Sequence, residues 1–160
     1  MRDKRILKNV SDQLRKNNLT VATAESCTGG LLAHLLTNIS GSSEYFERGV
    51  VTYSNKSKME LLRIPQKTIE EHGAVSKQTA RAMAIGIKEQ ANVDIGISTT
   101  GIAGPTGGTK EKPVGLVYIG TATSKKTEVK RFLFSKDRLQ NKEKTCYKAL
   151  EFLLETITKW

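Results

Sequence analysis

Ile6, Leu7, Val10 and Leu14 recur at three- and four-residue intervals among charged and amide residues, so residues 3–17 read as an amphipathic helix with Asn17 and Asn18 at its end. LTVATA (19–24) has the character of a short strand. The apolar positions of 28–38, up to the turn-forming SGSS, fit a second helix, and RGVVTY (48–53) fits a second strand. Three polar punctuation marks then organise the middle of the chain. Ser54 is placed to cap a short helix, Pro65 to start another that ends at Gly73, and Ser76 to cap a longer one that aligns Ala80, Met83, Ala84 and Ile87 on one face. VDIGIST (93–99), nearly all apolar or small, reads as a strand buried on both faces. The following 100–113 are rich in glycine and proline and leave no room for a crossover helix, so VGLVYIGTA (114–122) should return antiparallel beside it. TSKKT reads as a hairpin turn into the alternating strand EVKRFLF (128–134). From Asp137 onward Leu139, Cys146, Ala149, Leu150, Leu153 and Ile157 share one helical face, and the alternation of strands with helices predicts an α/β fold.

At 160 residues and 38% hydrophobic content, the chain suits one ordinary core and hence one domain over 1–160. No apolar run approaches the ~20 residues of a membrane span, and MRDKRILKNV alternates charge with apolar residues where a signal peptide would carry a hydrophobic stretch; a cytoplasmic protein away from membranes is the expectation. Cys27 and Cys146 are far apart and the only histidines are His34 and His72, a thin supply that predicts neither a disulfide framework, a metal site nor a cofactor bound through one. The net charge of +10 is compatible with an anionic partner. Its lysines and arginines are dispersed and few aromatics accompany them, which argues against a nucleic-acid surface and leaves a smaller anion open.

Each of the first three strands runs into a loop of unusual composition: ESCTGG, SNKSK and TGIAGPTGG. In open α/β sheets ligands bind outside the carboxyl ends of the strands, so the three loops define one candidate pocket. Gly29 and Gly30 stand at a helix start, where backbone N–H groups can meet an anion or where glycine merely permits a tight turn. GIAGPTGG (101–108) matches neither the P-loop nor the dinucleotide fingerprint; it can serve as a wall donating N–H groups to a ligand or an oxyanion. The nucleophile candidates are Ser26, Cys27 and Thr28, each of which needs a base. His34 follows Cys27 by seven residues, and His72 sits in a charged helix end. Lys58 can act as a base if burial keeps it neutral, in a Ser–Lys variant of triad chemistry. A local Ser54–Lys58 pair competes with a long-range Ser26–Lys58 pair, and spacing alone does not choose. Cys146, on the apolar stripe of the last helix, reads as a core thiol.

TVATAESCTGGLLAHLLT, GSSEYFERGVVTYSNKSK, EEHGAVS, TGIAGPTGGTKEKPVGLVYI and the DR ending at Arg138 together resemble the CinA C-terminal domain family, which includes bacterial nicotinamide-nucleotide amidases. The likeness runs from about residue 5 to residue 155. It implies a three-layer α/β/α sandwich around a mixed, mostly parallel five-stranded sheet whose fourth strand is antiparallel. It also implies hydrolysis of the carboxamide of nicotinamide mononucleotide to nicotinate mononucleotide and ammonia, with a small-molecule nucleotide as partner. By the same resemblance Ser26 is the nucleophile and Lys58 its base, and Tyr53 and Thr100 support them. Thr28, Gly29, Gly30, Asn55, Gly101, Gly104 and Arg138 contact the substrate. The family commonly has PGDR where this chain has SKDR (135–138), a change expected to bear on Arg138. That change, with the extra N-terminal domain that longer family members carry, motivates the alternative of a nucleotide-binding module without turnover. A homodimer is expected only because symmetric dimers are common.

Overall fold

The computed structural model describes the backbone of residues 2–160 and the side chains of residues 5–160. Helix α1 (Arg2–Lys16) leads into β1 (Val21–Glu25), α2 (Leu31–Thr37) and, after a 3-10 turn at Ser42–Glu44, β2 (Phe46–Val51). Helices α3 (Asn55–Leu62), α4 (Gln66–His72) and α5 (Lys77–Ala91) precede β3 (Ile95–Gly101). The meander β4 (Leu116–Ala122) and β5 (Thr127–Leu133) follows, and α6 (Arg138–Thr158) closes the fold.

The five strands form one sheet in the order β2-β1-β3-β4-β5. β1 pairs parallel with β2 and β3, whereas β4 is antiparallel to both of its neighbours, as the short 100–113 connection demands. Alternation of side chains across the sheet divides the core in two. Val21, Ile95, Ile97, Val117 and Ile119 meet α1, α2 and α6 through Leu14, Leu32, Leu36, Leu150 and Leu153. Ala22 and Ala24 point to the opposite face, against Leu62, Ile69, Met83 and Ile87 of α3, α4 and α5. The result is the three-layer sandwich with a mixed sheet. Among the described residues no helix is long and apolar enough to cross a membrane.

Most boundaries shift by one or two residues from the sequence reading, β1 from 19–24 to Val21–Glu25 and β3 from 93–99 to Ile95–Gly101 among them, and two shifts have a clear cause. β2 lies two residues earlier than 48–53, because Val21 N–H bonds to the Tyr45 carbonyl and Val21 pairs with Phe46, which opens the ladder before Arg48. α2 begins at Leu31 instead of 28, because Gly30 sits at φ 96°, a left-handed conformation that glycine tolerates and that interrupts a right-handed helix.

Candidate active site

β1 ends at Glu25, and the period of two decides where the next side chains go. Glu25 shares the face of Val21 and Thr23, toward α2. Ser26, one position on, shares the face of Ala22 and Ala24, toward α3. There the capped first turn of α3 delivers a lysine: Ser54 Oγ accepts from Ser57 N–H at 3.0 Å, Ser57 Oγ returns the bond to Ser54 N–H, and Lys58 follows in that same turn.

Lys58 Nζ stands 3.2 Å from Ser26 Oγ and donates to the Thr52 carbonyl at 2.7 Å. The side chain is only 1% exposed, and among the described residues no carboxylate pairs with it. A buried ammonium without a counter-ion is penalised, so burial lowers the Lys58 pKa from its ordinary 10.5 and favours the neutral amine; the neighbouring Cys27 weakly opposes this. The neutral amine has one lone pair and two N–H groups. With one N–H on the Thr52 carbonyl, the lone pair can receive the Ser26 hydroxyl proton. The long-range pair therefore prevails over a Ser54–Lys58 pair, since Ser54 is occupied as a cap.

Cys27 does not compete. It is buried in the α2/α6 core, and burial pushes its thiol up to about 12, so the reactive thiolate is absent near neutrality. Cys146 lies in the same core with its thiol also raised by burial. His34 is exposed and hydrogen-bonded to Asn38, and His72 ends α4 beside Glu71.

Ser26, Cys27, Tyr53, Lys58, Thr100, Gly101, Gly104 and Arg138 all line one cavity of about 270 Å³, together with Ala74 and Val75. Thr100 is 1% exposed and donates through Oγ1 to the Ala74 carbonyl at 2.7 Å, tying β3 to the α4–α5 turn. Tyr53, 61% exposed, stands at the rim, where its hydroxyl accepts from Arg138 Nη2 at 2.9 Å. Arg138 Nη1 donates to the Gly104 carbonyl at 2.7 Å, so the guanidinium bridges the second and third loops. The SKDR change does not remove Arg138 from the rim. Asp137 caps α6 by accepting from Gln140 N–H, and buried Asn141 donates to the carbonyls of Lys136 and Ala103.

Three expected substrate contacts fall elsewhere, and one more is exposed without lining this cavity. Thr28 is buried with its hydroxyl on Glu25 Oε2 at 2.6 Å, while Gly29 and Gly30 border a separate cavity with His34 and Lys142. The expected anion at this helix start is displaced by the protein's own Glu25, whose carboxyl accepts from Gly30, Leu32 and Ala33 N–H at 3.0, 3.0 and 2.7 Å. Asn55, the first residue of α3, is solvent-exposed and outside the cavity lining. Glu25 was not singled out from sequence. Its signal was available: a charged residue closing a strand of apolar and small residues is buried only when partners await it.

The backbone donors divide in the same way. Ser26 N–H bonds to Thr99 O, Gly29 N–H to Ser26 O and Ile102 N–H to Leu116 O. The N–H groups of the cavity-lining residues Ala103 and Gly104 have no acceptor among the hydrogen bonds of the described residues. Among the described residues, no group of three His, Cys, Asp or Glu side chains could hold a metal ion.

The sequence and the fold have counterparts. The family model of the CinA C-terminal domain matches residues 3–157. A CinA-like protein of Chloroherpeton thalassium is 51% identical over 152 residues, covering 92% of this chain and 36% of its own length. A CinA-like protein of Geobacter sp. strain M21 is 52% identical over 88% of the chain and 34% of its own length. The chain thus spans about a third of these curated relatives. Among solved structures, the competence damage-inducible protein A of Klebsiella pneumoniae superposes with a TM-score of 0.95 at 34% identity, covering 99% of this chain and 98% of that one. The competence/damage inducible protein CihA of Agrobacterium tumefaciens does so with a TM-score of 0.93 at 38% identity, over 96% and 94% of the two chains.

Proposed function

Because the chain belongs to the CinA C-terminal domain family, we propose that it is an amide hydrolase that converts nicotinamide mononucleotide to nicotinate mononucleotide and ammonia. The observation that carries this reading is the buried, carboxylate-free Lys58 amine 3.2 Å from Ser26 Oγ. A hydroxyl becomes a nucleophile when a neighbouring base removes its proton, and a lysine kept neutral by burial is such a base.

Ser26 Oγ attacks the carboxamide carbon while its proton passes to the lone pair of Lys58 Nζ. The carbonyl oxygen becomes an oxyanion, for which Ala103 and Gly104 N–H are among the donors on the cavity wall; one such donor is worth about 3 to 4 kcal/mol in other enzymes. Collapse breaks the C–N bond, and the Lys58 ammonium gives its proton to the departing nitrogen, which leaves as ammonia. An ester on Ser26 remains. Lys58, neutral again, takes a proton from water as the water oxygen attacks the ester, and the serine alkoxide recovers that proton when the acid departs. The sum is amide plus water to carboxylic acid plus ammonia.

The substrate phosphate falls to Arg138. Two of its five N–H groups are on Tyr53 and Gly104, and three remain for an anion at the rim. The test is direct. Purified protein incubated with nicotinamide mononucleotide releases ammonia and the acid in equal amounts, and Ser26→Ala protein releases neither. A wild-type protein without release, or undiminished release by Ser26→Ala, overturns the reading.

A further inference from the structure

Glu25 is 1% exposed and, among the described residues, has no cationic partner. Burying a carboxyl group is expensive unless hydrogen bonds replace its water. Here most come from the start of α2, and Thr23 Oγ1 of β1 adds a longer bond to Oε1 at 3.4 Å. Oε2 accepts from Thr28 Oγ1 at 2.6 Å and from Gly30 and Leu32 N–H at 3.0 Å each, and Oε1 accepts from Ala33 N–H at 2.7 Å. The backbone donors are those that a helix start leaves unpaired, and Gly30, the N-cap residue of α2, has no side chain to meet them.

Capping alone would need only a serine or aspartate at the helix boundary. A glutamate reaching from the end of β1 does more, because its bonds span the whole turn that contains Ser26. That turn is held at three further points: Ser26 N–H on Thr99 O at 2.9 Å, Gly29 N–H on Ser26 O at 3.1 Å, and Thr28 Oγ1 against Thr99 Oγ1 at 2.7 Å. Ser26 is thus clamped between β3 and a turn that the Glu25 carboxyl closes. The Glu25 side chain itself leaves on the face opposite the cavity and does not line it.

We propose that Glu25 is the positioning residue of the nucleophile: by closing the β1–α2 turn from the far side of the sheet, it fixes Ser26 Oγ against Lys58. The proposal rests on Ser26 being the attacking group. Displacement of a reacting atom by about 1 Å can cost about 10²-fold in rate, so a residue that never touches substrate can control turnover.

The test pairs kinetics with crystallography on Glu25→Gln, which keeps the shape but turns a donor toward the N–H groups of α2. The expected result is a kcat at least tenfold lower with KM within twofold of wild type, in protein folded by circular dichroism, and a Ser26 Oγ to Lys58 Nζ separation opened beyond hydrogen-bonding range. Thr28→Val, which removes one donor to the carboxyl, is expected to give a smaller loss of the same kind, and Thr28→Ser to restore it. If Glu25→Gln does not fold, the Thr28 pair carries the test. An unchanged kcat, a loss confined to KM, or an intact Ser26–Lys58 contact in the variant overturns the proposal. Wild-type protein inactive on nicotinamide mononucleotide contradicts the amidase reading instead, and the crystallographic separation then still decides whether Glu25 holds the turn.

Discussion

Ser26, Cys27 and Thr28 are chemically similar candidates side by side, and local sequence could not rank them. Burial and bonding separate them: Cys27 is buried with its thiol pushed up to about 12, Thr28 is engaged by Glu25 and Thr99, and of the three side chains Ser26 is the one hydrogen-bonded to an amine among the described residues. Cys27→Ala is therefore expected to keep turnover within about threefold while losing about 1 kcal/mol of stability from the core, and thiol reagents should label Cys27 only in unfolded protein. A large loss of turnover in a folded Cys27→Ala protein would contradict this. Lys58 makes a second prediction. In the proposed mechanism its reactive form is the neutral amine, whose fraction rises with pH through the folded-state pKa, and burial places that pKa below the ordinary 10.5. The rate should climb with pH on a limb centred below 10.5. Lys58→Arg, whose guanidinium stays protonated, should lose at least about 10²-fold at every pH. A rate that falls as pH rises through this range would assign Lys58 a different role. Sequence offers Lys58 as a candidate base but assigns it to Ser26 only through resemblance, because a chain with 26 lysines and arginines places some cation near any serine.

At the scale of elements, the helices announced themselves through their caps. Ser54, Ser76 and Asp137 occupy the cap positions of α3, α5 and α6, each accepting from a backbone N–H three residues on. α4 starts at Pro65 without a side-chain cap, and the cap of α2 comes from Glu25 in the preceding strand, a tertiary contact that no local pattern encodes. The same fact displaced the anion expected at Gly29 and Gly30. The edge strand β2 was misplaced for a related reason, since its start is set by pairing with β1 and not by its own composition. Ser54→Ala tests the element that carries the proposed base. It should cost about 1 kcal/mol in denaturant unfolding and lower kcat only modestly, because Lys58 keeps its contacts with Ser26 and Thr52. A loss of activity as severe as that of a Lys58 substitution would mean that the cap itself takes part in the chemistry.

At the scale of the molecule, the strand order brings residues 26, 58, 100 and 138 to one cavity at the carboxyl ends of β1, β2 and β3, which the composition of three successive loops had indicated. The +10 charge is dispersed over this frame. For an anionic nucleotide it should act mainly on encounter, so kcat/KM should fall as salt shortens the screening length to about 8 Å at 0.15 M, while kcat holds. A kcat/KM insensitive to salt would remove charge from the account of substrate capture. The proposed mechanism requires the fold to make two groups 32 residues apart act as one. The most direct test is a cycle of kcat/KM on nicotinamide mononucleotide for wild type, Ser26→Ala, Lys58→Ala and the double variant. Groups that form one catalytic unit fail together, so each single variant should lose nearly all activity and the double should be no worse than either. Losses that multiply in the double variant, or a Lys58→Ala protein that retains wild-type turnover, would contradict the Ser26–Lys58 mechanism.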